Sequence, residues 1–215
     1  MNVISAKAAA ELITDGAVLM IGGFMSNGTP EILIDALIKK GIKDLTVIAN
    51  DSGTPDTGIG HLVNAGAVRK LIVSHIGLNP VAGKLMNEGK IEVKLVPQGT
   101  LIEQIRAGGA GLGGILTPTG LGTEVANGKD VIQVNGKEYL LEKPLKADFA
   151  LIQASRADEK GNLFYKATTR NFNPVMATAA ETVIVAAQEI VPAGEIEAEH
   201  VVTPGIFVDY MVGGE

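Results

Sequence analysis

Short uninterrupted apolar runs alternate along the chain with stretches in which apolar residues recur every three or four positions. The runs are typical of strands buried on both faces, and the wider spacing is typical of helices with one buried face. The predicted strands are Ala17–Ile21, Leu45–Ala49, Lys70–Ser74, Glu92–Val96, Phe149–Ala154 and Val183–Ala187. The predicted helices are Ser5–Ile13 with Ser5 as cap, Glu31–Lys40, Gly60–Asn64, Val81–Asn87, Leu101–Ala107 and Pro174–Ala180. This alternation predicts an α/β fold, a doubly wound and mainly parallel sheet with helices on both faces.

The pattern changes after Gly108, where a glycine-rich segment interrupts the alternation. Beyond it, Val131–Val134 and Glu138–Leu141 flank Asn135-Gly136, which predicts a small β-hairpin insertion. Gly109–Gly114 matches G-x-G-x-x-G, but a dinucleotide-binding loop needs a strand before it and a helix after it. Here a predicted helix enters, so we interpret the segment as a flexible loop near a site or an interface.

Composition limits the possible functions. The chain has 215 residues, of which 46% are hydrophobic, which suits a single domain over residues 1–215. A net charge of −6 with scattered basic residues argues against a nucleic-acid partner. The absence of cysteine excludes disulfides, thiolate metal sites and thiol chemistry. No apolar run reaches the ~18 residues of a membrane span and no signal peptide is evident, so we expect a cytoplasmic protein without membrane contact.

A loop nearly free of long side chains joins Val18–Ile21 to the next helix. That helix is predicted to start with Thr29 as N-cap, Pro30 as its first residue and Glu31 in its first turn. Three glycines in the loop can adopt backbone angles that other residues avoid, which lets their N–H groups point into a cleft at the carboxyl end of the sheet: Gly22, Gly23 and Gly28. No Gly-Lys-Ser/Thr follows, so a nucleoside triphosphate is disfavoured. A tight structural turn is the alternative interpretation, and the longer pattern favours a ligand.

Two polar loops follow neighbouring predicted strands: Asn50–Ser52 and Pro97–Thr100. Gln98 could donate its amide to a carbonyl or carboxylate in the cleft, although a helix cap explains the segment equally well. In Arg170–Pro174, Asn173 is a natural N-cap beside a packing Phe172, and Arg170 is a possible phosphate or carboxylate contact. Three histidines lack metal-ligand spacing and are predicted to be structural: His61, His75 and His200. The residues therefore predict a ligand cleft with no metal site and no obvious reactive group.

These segments resemble the alpha subunit of class I CoA-transferases of the acetate or butyrate–acetoacetate type. The family signature is an acidic or Asn residue with Gly, an apolar strand, Gly-Gly-Phe and then Gly-x-Pro, and Asp15–Pro30 matches each position. Further similar segments run almost end to end: Asn50–Asp51, Pro97–Thr100, Ile105–Gly111, Thr117–Thr123, Ala157–Asn162, Arg170–Asn173 and Thr203–Gly205. The family fold is a sheet with helices on both faces, and the sugar-phosphate isomerases share it.

The resemblance implies a ping-pong transfer of coenzyme A between carboxylic acids through a glutamyl-CoA thioester. In the family, the glutamate lies in a Ser-Glu-Asn-Gly motif on a beta subunit. This chain lacks that motif, and Asn87-Glu88-Gly89 has the wrong order, so no catalytic residue is expected here. Coenzyme A is implied as substrate and not as a permanent cofactor, and an α2β2 assembly is implied. The implied CoA-binding residues are Gly22, Gly23, Phe24, Met25, Ser26, Asn27 and Gly28.

The resemblance also suggests the acid. Asn50-Asp51 is similar to the short-chain branch, whereas the oxoadipate and succinate branches tend to carry a second Asn at position 51. Acetate, butyrate and acetoacetate are therefore expected, with Asn50, Asp51 and Gln98 in the substrate pocket. If its carboxylate faces the cleft, Asp51 would also repel a dianionic acid. The alternatives are the equivalent subunit of a 3-oxoacid (succinyl- or 3-oxoadipate) CoA-transferase, a sugar-phosphate isomerase and a non-catalytic acyl-CoA-binding module.

Overall fold

The computed structural model describes residues 1–213, so Gly214 and Glu215 lie outside it, although they belong to the predicted domain. The strands are β1 (Asn2–Val3), β2 (Val18–Ile21), β3 (Leu45–Ile48), β4 (Val68–Val73), β5 (Glu92–Leu95), β6 (Ile115–Thr117), β7 (Val131–Val134), β8 (Lys137–Glu142), β9 (Ala147–Ala154), β10 (Arg156–Asp158), β11 (Leu163–Phe164), β12 (Ala180–Ala187), β13 (Ile190–Val191) and β14 (Tyr210–Gly213). The α-helices are α1 (Ala6–Leu12), α2 (Glu31–Lys40), α3 (Ile59–Asn64), α4 (Pro80–Asn87), α5 (Gln98–Gly109) and α6 (Asn173–Met176). Short 3₁₀ turns lie at Glu124–Ala126, Ala167–Arg170, Ala198–His200 and Gly205–Phe207.

The central sheet has eight strands in the order β1-β14-β12-β9-β2-β3-β4-β5. All seven neighbouring pairs are parallel. From β2 the chain proceeds outward to β5, and from β9 it proceeds outward on the other side. The strand order therefore reverses between β2 and β9. In open α/β sheets, the crevice beyond the carboxyl ends of strands at such a reversal is the usual ligand site.

Two apolar cores cover the two faces of this sheet. Leu19 and Ile21 of β2 belong to one core, and Met20 between them belongs to the other, as the alternation of side chains along a strand requires. Helices α1 to α4 contribute buried residues to the first core, whereas α5 and α6 contribute to the second. The structure thus confirms the predicted doubly wound sheet. Among residues 1–213, no helix has the length and apolar character needed to cross a bilayer.

Most predicted elements are present with boundaries within three residues, and the bounds of α2 are those predicted. The cap of α1 is also confirmed, because the Ser5 hydroxyl accepts the N–H of Ala8 at 3.1 Å. The Asn135-Gly136 hairpin forms between β7 and β8, with φ of 51° and 76° at its two central residues. A third strand, β6, pairs with β8 and completes a small separate sheet.

Three local predictions are wrong. Thr29 does not cap α2: Pro30 is the N-cap residue without a side-chain bond, because Thr29 is buried against Gly23. Asn173 is the first residue of α6 rather than its cap, because its side chain bonds to distant backbone groups. The predicted helix Pro174–Ala180 stops at Met176, since Ala180 pairs with Ala147 in the central sheet. Strands β1, β10, β11, β13 and β14 have two to four residues each and leave no periodic pattern to detect.

A buried carboxylate at the last residue of β10 organises the turn that follows this strand. Asp158 Oδ1 accepts the N–H groups of Lys160 and Asn162, each at 2.9 Å, and Oδ2 accepts the Asn162 amide at 2.8 Å. The Asn162 side chain in turn accepts the N–H of Gly205 at 3.0 Å, which ties the turn to a distant loop. Burial raises the pKa of Asp158, but these hydrogen bonds to the ionised form outweigh burial and leave the pKa below its ordinary value of 3.8.

Asp158→Asn is expected to lower the free energy of unfolding by about 1–3 kcal/mol at pH 7, because an amide cannot accept all these donors. Because the pKa of Asp158 is lower in the folded chain than in the unfolded chain, its ionised carboxylate stabilises the folded state above pH 3.8. This stabilisation is lost at lower pH as the carboxylate becomes protonated. The difference from wild type should therefore shrink as pH falls through 3.8. Urea denaturation at pH 7, 5 and 3.5 measures this difference. Asp56→Asn, at an exposed carboxylate, is the control. A constant difference over this range would contradict the assignment.

Candidate functional site

The loop after β2 lies at the strand-order reversal and contains a tight turn at Phe24–Asn27. Phe24 N–H donates to Asn27 O at 3.1 Å, and Asn27 N–H donates to Phe24 O at 2.9 Å. The two residues between them, Met25 and Ser26, have φ of 48° and 66°. This left-handed geometry is unfavourable for residues with a Cβ, so it persists only where the surroundings hold it. The turn presents Phe24 and Met25 to solvent, with exposures of 39% and 49%.

Asp51 holds this turn from one side. Its Oδ2 accepts Met25 N–H at 2.9 Å and the Asn50 amide at 2.6 Å, and its Oδ1 accepts Gly53 N–H at 2.8 Å. Asn50 also accepts the Gln98 amide at 2.6 Å. A continuous chain of hydrogen bonds therefore runs from Gln98, at the start of α5, to the backbone of the turn.

The structure brings the three predicted pocket residues together but gives them different access to solvent. Gln98 is exposed, and a cleft of about 440 Å³ begins beside it at Gly99. Asn50 and Asp51 are buried, with exposures of 0% and 4%. Repulsion of a dianionic acid by a carboxylate facing the cleft is therefore not supported, because Asp51 points at protein donors. In this conformation Asn50 and Asp51 affect the cleft indirectly, through their hydrogen bonds to the Gln98 amide and to Met25 N–H.

Each glycine of the loop has a separate reason for lacking a side chain. A Cβ on Gly22 would lie 1.8 Å from Asn173 Oδ1, and one on Gly23 would lie 2.0 Å from Thr29 Oγ1. Gly23 and Gly28 also have φ of 122° and 76°, as predicted, whereas Gly22 does not need a positive φ. Close packing, rather than an unusual backbone angle, therefore requires glycine at position 22.

Two of the three glycine N–H groups are used inside the protein rather than directed into a cleft. Gly22 donates to Leu151 O at 2.9 Å, and Gly23 donates to Asn171 Oδ1 at 3.2 Å. Within residues 1–213, the backbone N–H groups of Ser26 and Gly28 make no hydrogen bond. Ser26 N–H and the second amide hydrogen of Gln98 are therefore donors that a ligand could use, whereas Gly28 is buried.

A second turn, at Thr54–Thr57, packs against the first. The Ser26 and Thr57 hydroxyls are 2.7 Å apart, and Gly58 N–H donates to Glu31 Oε2 at 2.9 Å. Burial raises the pKa of Glu31, while the Gly58 hydrogen bond opposes part of that rise. Between the two loops lies a void of about 10 Å³, which is room for one water molecule. Side chains from α2 and the loop after β3 thus support the Phe24–Asn27 turn.

Two residues that sequence reasoning gave only local roles hold the opposite side of the loop. Asn173 is fully buried, donates to Gly28 O at 3.0 Å and accepts Gln153 N–H at 3.0 Å. Asn171 accepts the N–H of Gly23, about 150 positions earlier in the chain. The polar Asn-Phe-Asn-Pro segment was the only sequence signal for these two residues. A local pattern does not show that their partners lie in the loop after β2. Arg170 is exposed, whereas Phe172 is buried as predicted.

The other candidate features remain outside this cluster. Helix α5 ends at Gly109 and β6 begins at Ile115, so the glycine-rich segment between them follows a helix and precedes a strand. This order is the reverse of a dinucleotide-binding loop. Among the 213 described residues, no group of three or more His, Cys, Asp or Glu side chains could hold a metal ion.

Two relatives of known name share more than half of their aligned residues with this chain. The chain is 55% identical to the acetate CoA-transferase alpha subunit of Escherichia coli K12 over 92% of this chain and 90% of that protein. It is 56% identical to the acetoacetyl-CoA:acetate/butyrate CoA transferase alpha subunit of Clostridium acetobutylicum over 92% and 91% of the two chains. Both relatives are named as alpha subunits, and each alignment covers nine-tenths of both proteins.

The fold also matches an acyl-CoA transferase of Escherichia coli O157:H7 that was solved as a thioester complex with CoA. The TM-score is 0.87 at 26% identity, covering 99% of this chain and 47% of the other, so this chain spans about half of that transferase. Residues 3–214 match the family described as coenzyme A transferase. The chain therefore belongs to the coenzyme A transferase family.

Proposed function

We propose that this chain is the alpha subunit of a CoA-transferase that exchanges CoA between short-chain acyl-CoA and carboxylic acids. Its substrates would be acetyl-CoA, butyryl-CoA or acetoacetyl-CoA and the corresponding acids. The observation that carries the proposal is the Phe24–Asn27 turn, held in a strained shape at the strand-order reversal and joined to Gln98 through Asp51 and Asn50. The two relatives reported above, whose names include acetate, butyrate and acetoacetyl-CoA, support the substrate class.

The covalent step needs a carboxylate that can attack a thioester, and the carboxylates beside the turn are already engaged. Both oxygens of Asp51 accept protein donors, and Glu31 Oε2 accepts Gly58 N–H. A glutamate supplied by a beta subunit explains how such a site works. Its attack on the acyl-CoA carbonyl would release the CoA thiolate and form an anhydride. The thiolate would then attack the glutamyl carbonyl, release the acid and leave a glutamyl-CoA thioester.

This chain would contribute binding and charge stabilisation. Negative charge develops on the thioester oxygen during attack, and one preorganised N–H donor at such an oxygen is worth about 3 kcal/mol in other enzymes. Ser26 N–H and the Gln98 amide are donors that would serve this role at this edge of the sheet. The loop Gly22–Gly28 would bind CoA, and Gln98 would contact the acid. Asn50 and Asp51 would position these groups without touching the substrate.

The proposal includes an assembly and a role for CoA. The partner would be a beta subunit, in an α2β2 complex with the site completed at their interface. The alpha-subunit names of both relatives and the half-length match to a longer transferase support a partner. CoA would enter and leave as substrate, with no group bound permanently.

Catalysis is expected only when both subunits are present. CoA transfer from acetoacetyl-CoA to acetate is measured with this chain alone and after co-expression with the candidate beta subunit. CoA transfer is expected only when both chains are present, because the nucleophile and the CoA-binding loop would be on different chains. Transfer by this chain alone would contradict the shared site. Transfer to succinate or 3-oxoadipate but not to acetate would favour a 3-oxoacid transferase.

Gly22→Ala is expected to reduce kcat/KM for acetoacetyl-CoA on the order of 10- to 100-fold in the assembled complex. The new Cβ would overlap Asn173 Oδ1, and that buried side chain can move only by breaking its bonds to Gly28 O and Gln153 N–H. Gly83→Ala in α4 has no heavy atom within 4 Å of its new Cβ and is the matched control. Wild-type kinetics in a folded Gly22→Ala complex would show that the loop geometry does not matter for transfer.

A further inference from the structure

The side-chain amide of Asn171 has a partner for each of its donors and acceptors, and two of these bonds lie at the two ends of the Phe24–Asn27 turn. Its Oδ1 accepts Gly23 N–H at 3.2 Å and Phe172 N–H at 2.6 Å. Its Nδ2 donates to Asn27 O at 2.9 Å and to Thr168 O at 2.8 Å. A side-chain amide offers two acceptor sites and two donor hydrogens, so all four are occupied, and the Asn173 amide also donates to Oδ1 at a longer distance of 3.4 Å.

The two long-range bonds fall at the two ends of the turn. Gly23 N–H is immediately before it, and Asn27 O belongs to its last residue. Asn171 therefore closes the base of the turn, while Asp51 holds Met25 N–H at the tip. The positive φ values of Met25 and Ser26 persist between these two fixed points.

Asn171 is itself anchored from the second half of the chain. It follows the 3₁₀ turn Ala167–Arg170, and its neighbour Asn173 is fully buried between Gly28 O, Thr169 O and Gln153 N–H. The segment that carries Asn171 is thus fixed to the carboxyl end of β9, next to β2 across the strand-order reversal. A rigid base on one side of the reversal sets the position of the loop on the other.

We infer that Asn171 is a positioning residue for CoA transfer, which sets the backbone of the Phe24–Asn27 turn in the shape that receives acyl-CoA. This inference rests on the proposed function of the loop. Asn171 acts through Gly23 N–H and Asn27 O, and its own polar atoms are all occupied by protein groups. Its effect should therefore concern acyl-CoA more than the acceptor acid.

The test compares Asn171→Ala, Asn171→Asp and Ser5→Ala, each in the chain assembled with its beta subunit. The alanine variant removes every hydrogen bond of this side chain. The aspartate variant keeps the two acceptor bonds but places an oxygen against the Asn27 and Thr168 carbonyls. Ser5→Ala removes the N-cap bond of α1, away from the loop, and serves as a destabilised control.

Hydrogen exchange in the absence of substrate is the first readout. Exchange within residues 22–29 should be about tenfold faster or more in both Asn171 variants, because alanine removes both bonds that close the turn and aspartate replaces the bond to Asn27 O by repulsion between two oxygens. The second readout is kinetic. The value of kcat/KM for acetoacetyl-CoA should fall on the order of 10- to 100-fold, while that for acetate changes less and Ser5→Ala keeps both values.

Wild-type exchange rates in both Asn171 variants would overturn the inference, and so would faster exchange with unchanged kinetics. The inference would also be overturned if kcat/KM fell equally for acetoacetyl-CoA and for acetate in the Asn171 variants and in Ser5→Ala. In that case Asn171 would only stabilise the fold in general. A wild-type complex without any CoA transfer would instead overturn the proposed function and, with it, the catalytic part of the inference. The exchange rates would still decide whether Asn171 closes the turn.

Discussion

The buried carboxylate of Asp51 is the constraint on which the candidate site depends. It accepts Met25 N–H, Gly53 N–H and the Asn50 amide, and it is almost excluded from solvent. An ionised oxygen with several donors is stabilised in such a place, and the donors are fixed in return. Removing the carboxylate would release the tip of a turn whose backbone angles are unfavourable by themselves. The geometry at this edge of the sheet is therefore maintained by a carboxyl group whose two oxygens both accept protein donors.

The loop is held between the two halves of the chain. Asp51, after β3, holds its tip and is linked through Asn50 to Gln98 at the start of α5, whereas the segment Asn171–Asn173 holds its base. Because the strand order reverses between β2 and β9, the two groups of contacts approach from opposite sides. The result is a backbone surface presented in one conformation before a ligand arrives, which lowers the entropy lost on binding. A preformed surface of this kind suits a subunit that binds and orients a substrate while another subunit supplies the nucleophile.

Much of this architecture is predictable from local pattern. The apolar runs located the six long strands of the central sheet, and the bounds of α2 followed from its amphipathic spacing. Polar residues immediately after buried strands identified Asn50, Asp51 and Gln98 as neighbours. Sequence failed where tertiary contacts decide the outcome. Thr29 looks like a cap but packs against Gly23, and no local pattern showed that the Asp51 side chain is buried among protein donors. The partnership of Asn171 with Gly23 joins residues too distant for any periodicity to reveal.

The most direct test of CoA binding by this chain is the crystal structure of its complex with the beta subunit, trapped as the enzyme–CoA thioester. CoA is expected to lie along the Phe24–Asn27 turn, with the thioester oxygen within hydrogen-bond distance of Ser26 N–H or the Gln98 amide. The Asp51 and Asn171 bonds to the turn are expected to be unchanged. A thioester held entirely by the beta subunit, with the turn facing solvent or another surface, would contradict the assignment of CoA binding to this chain.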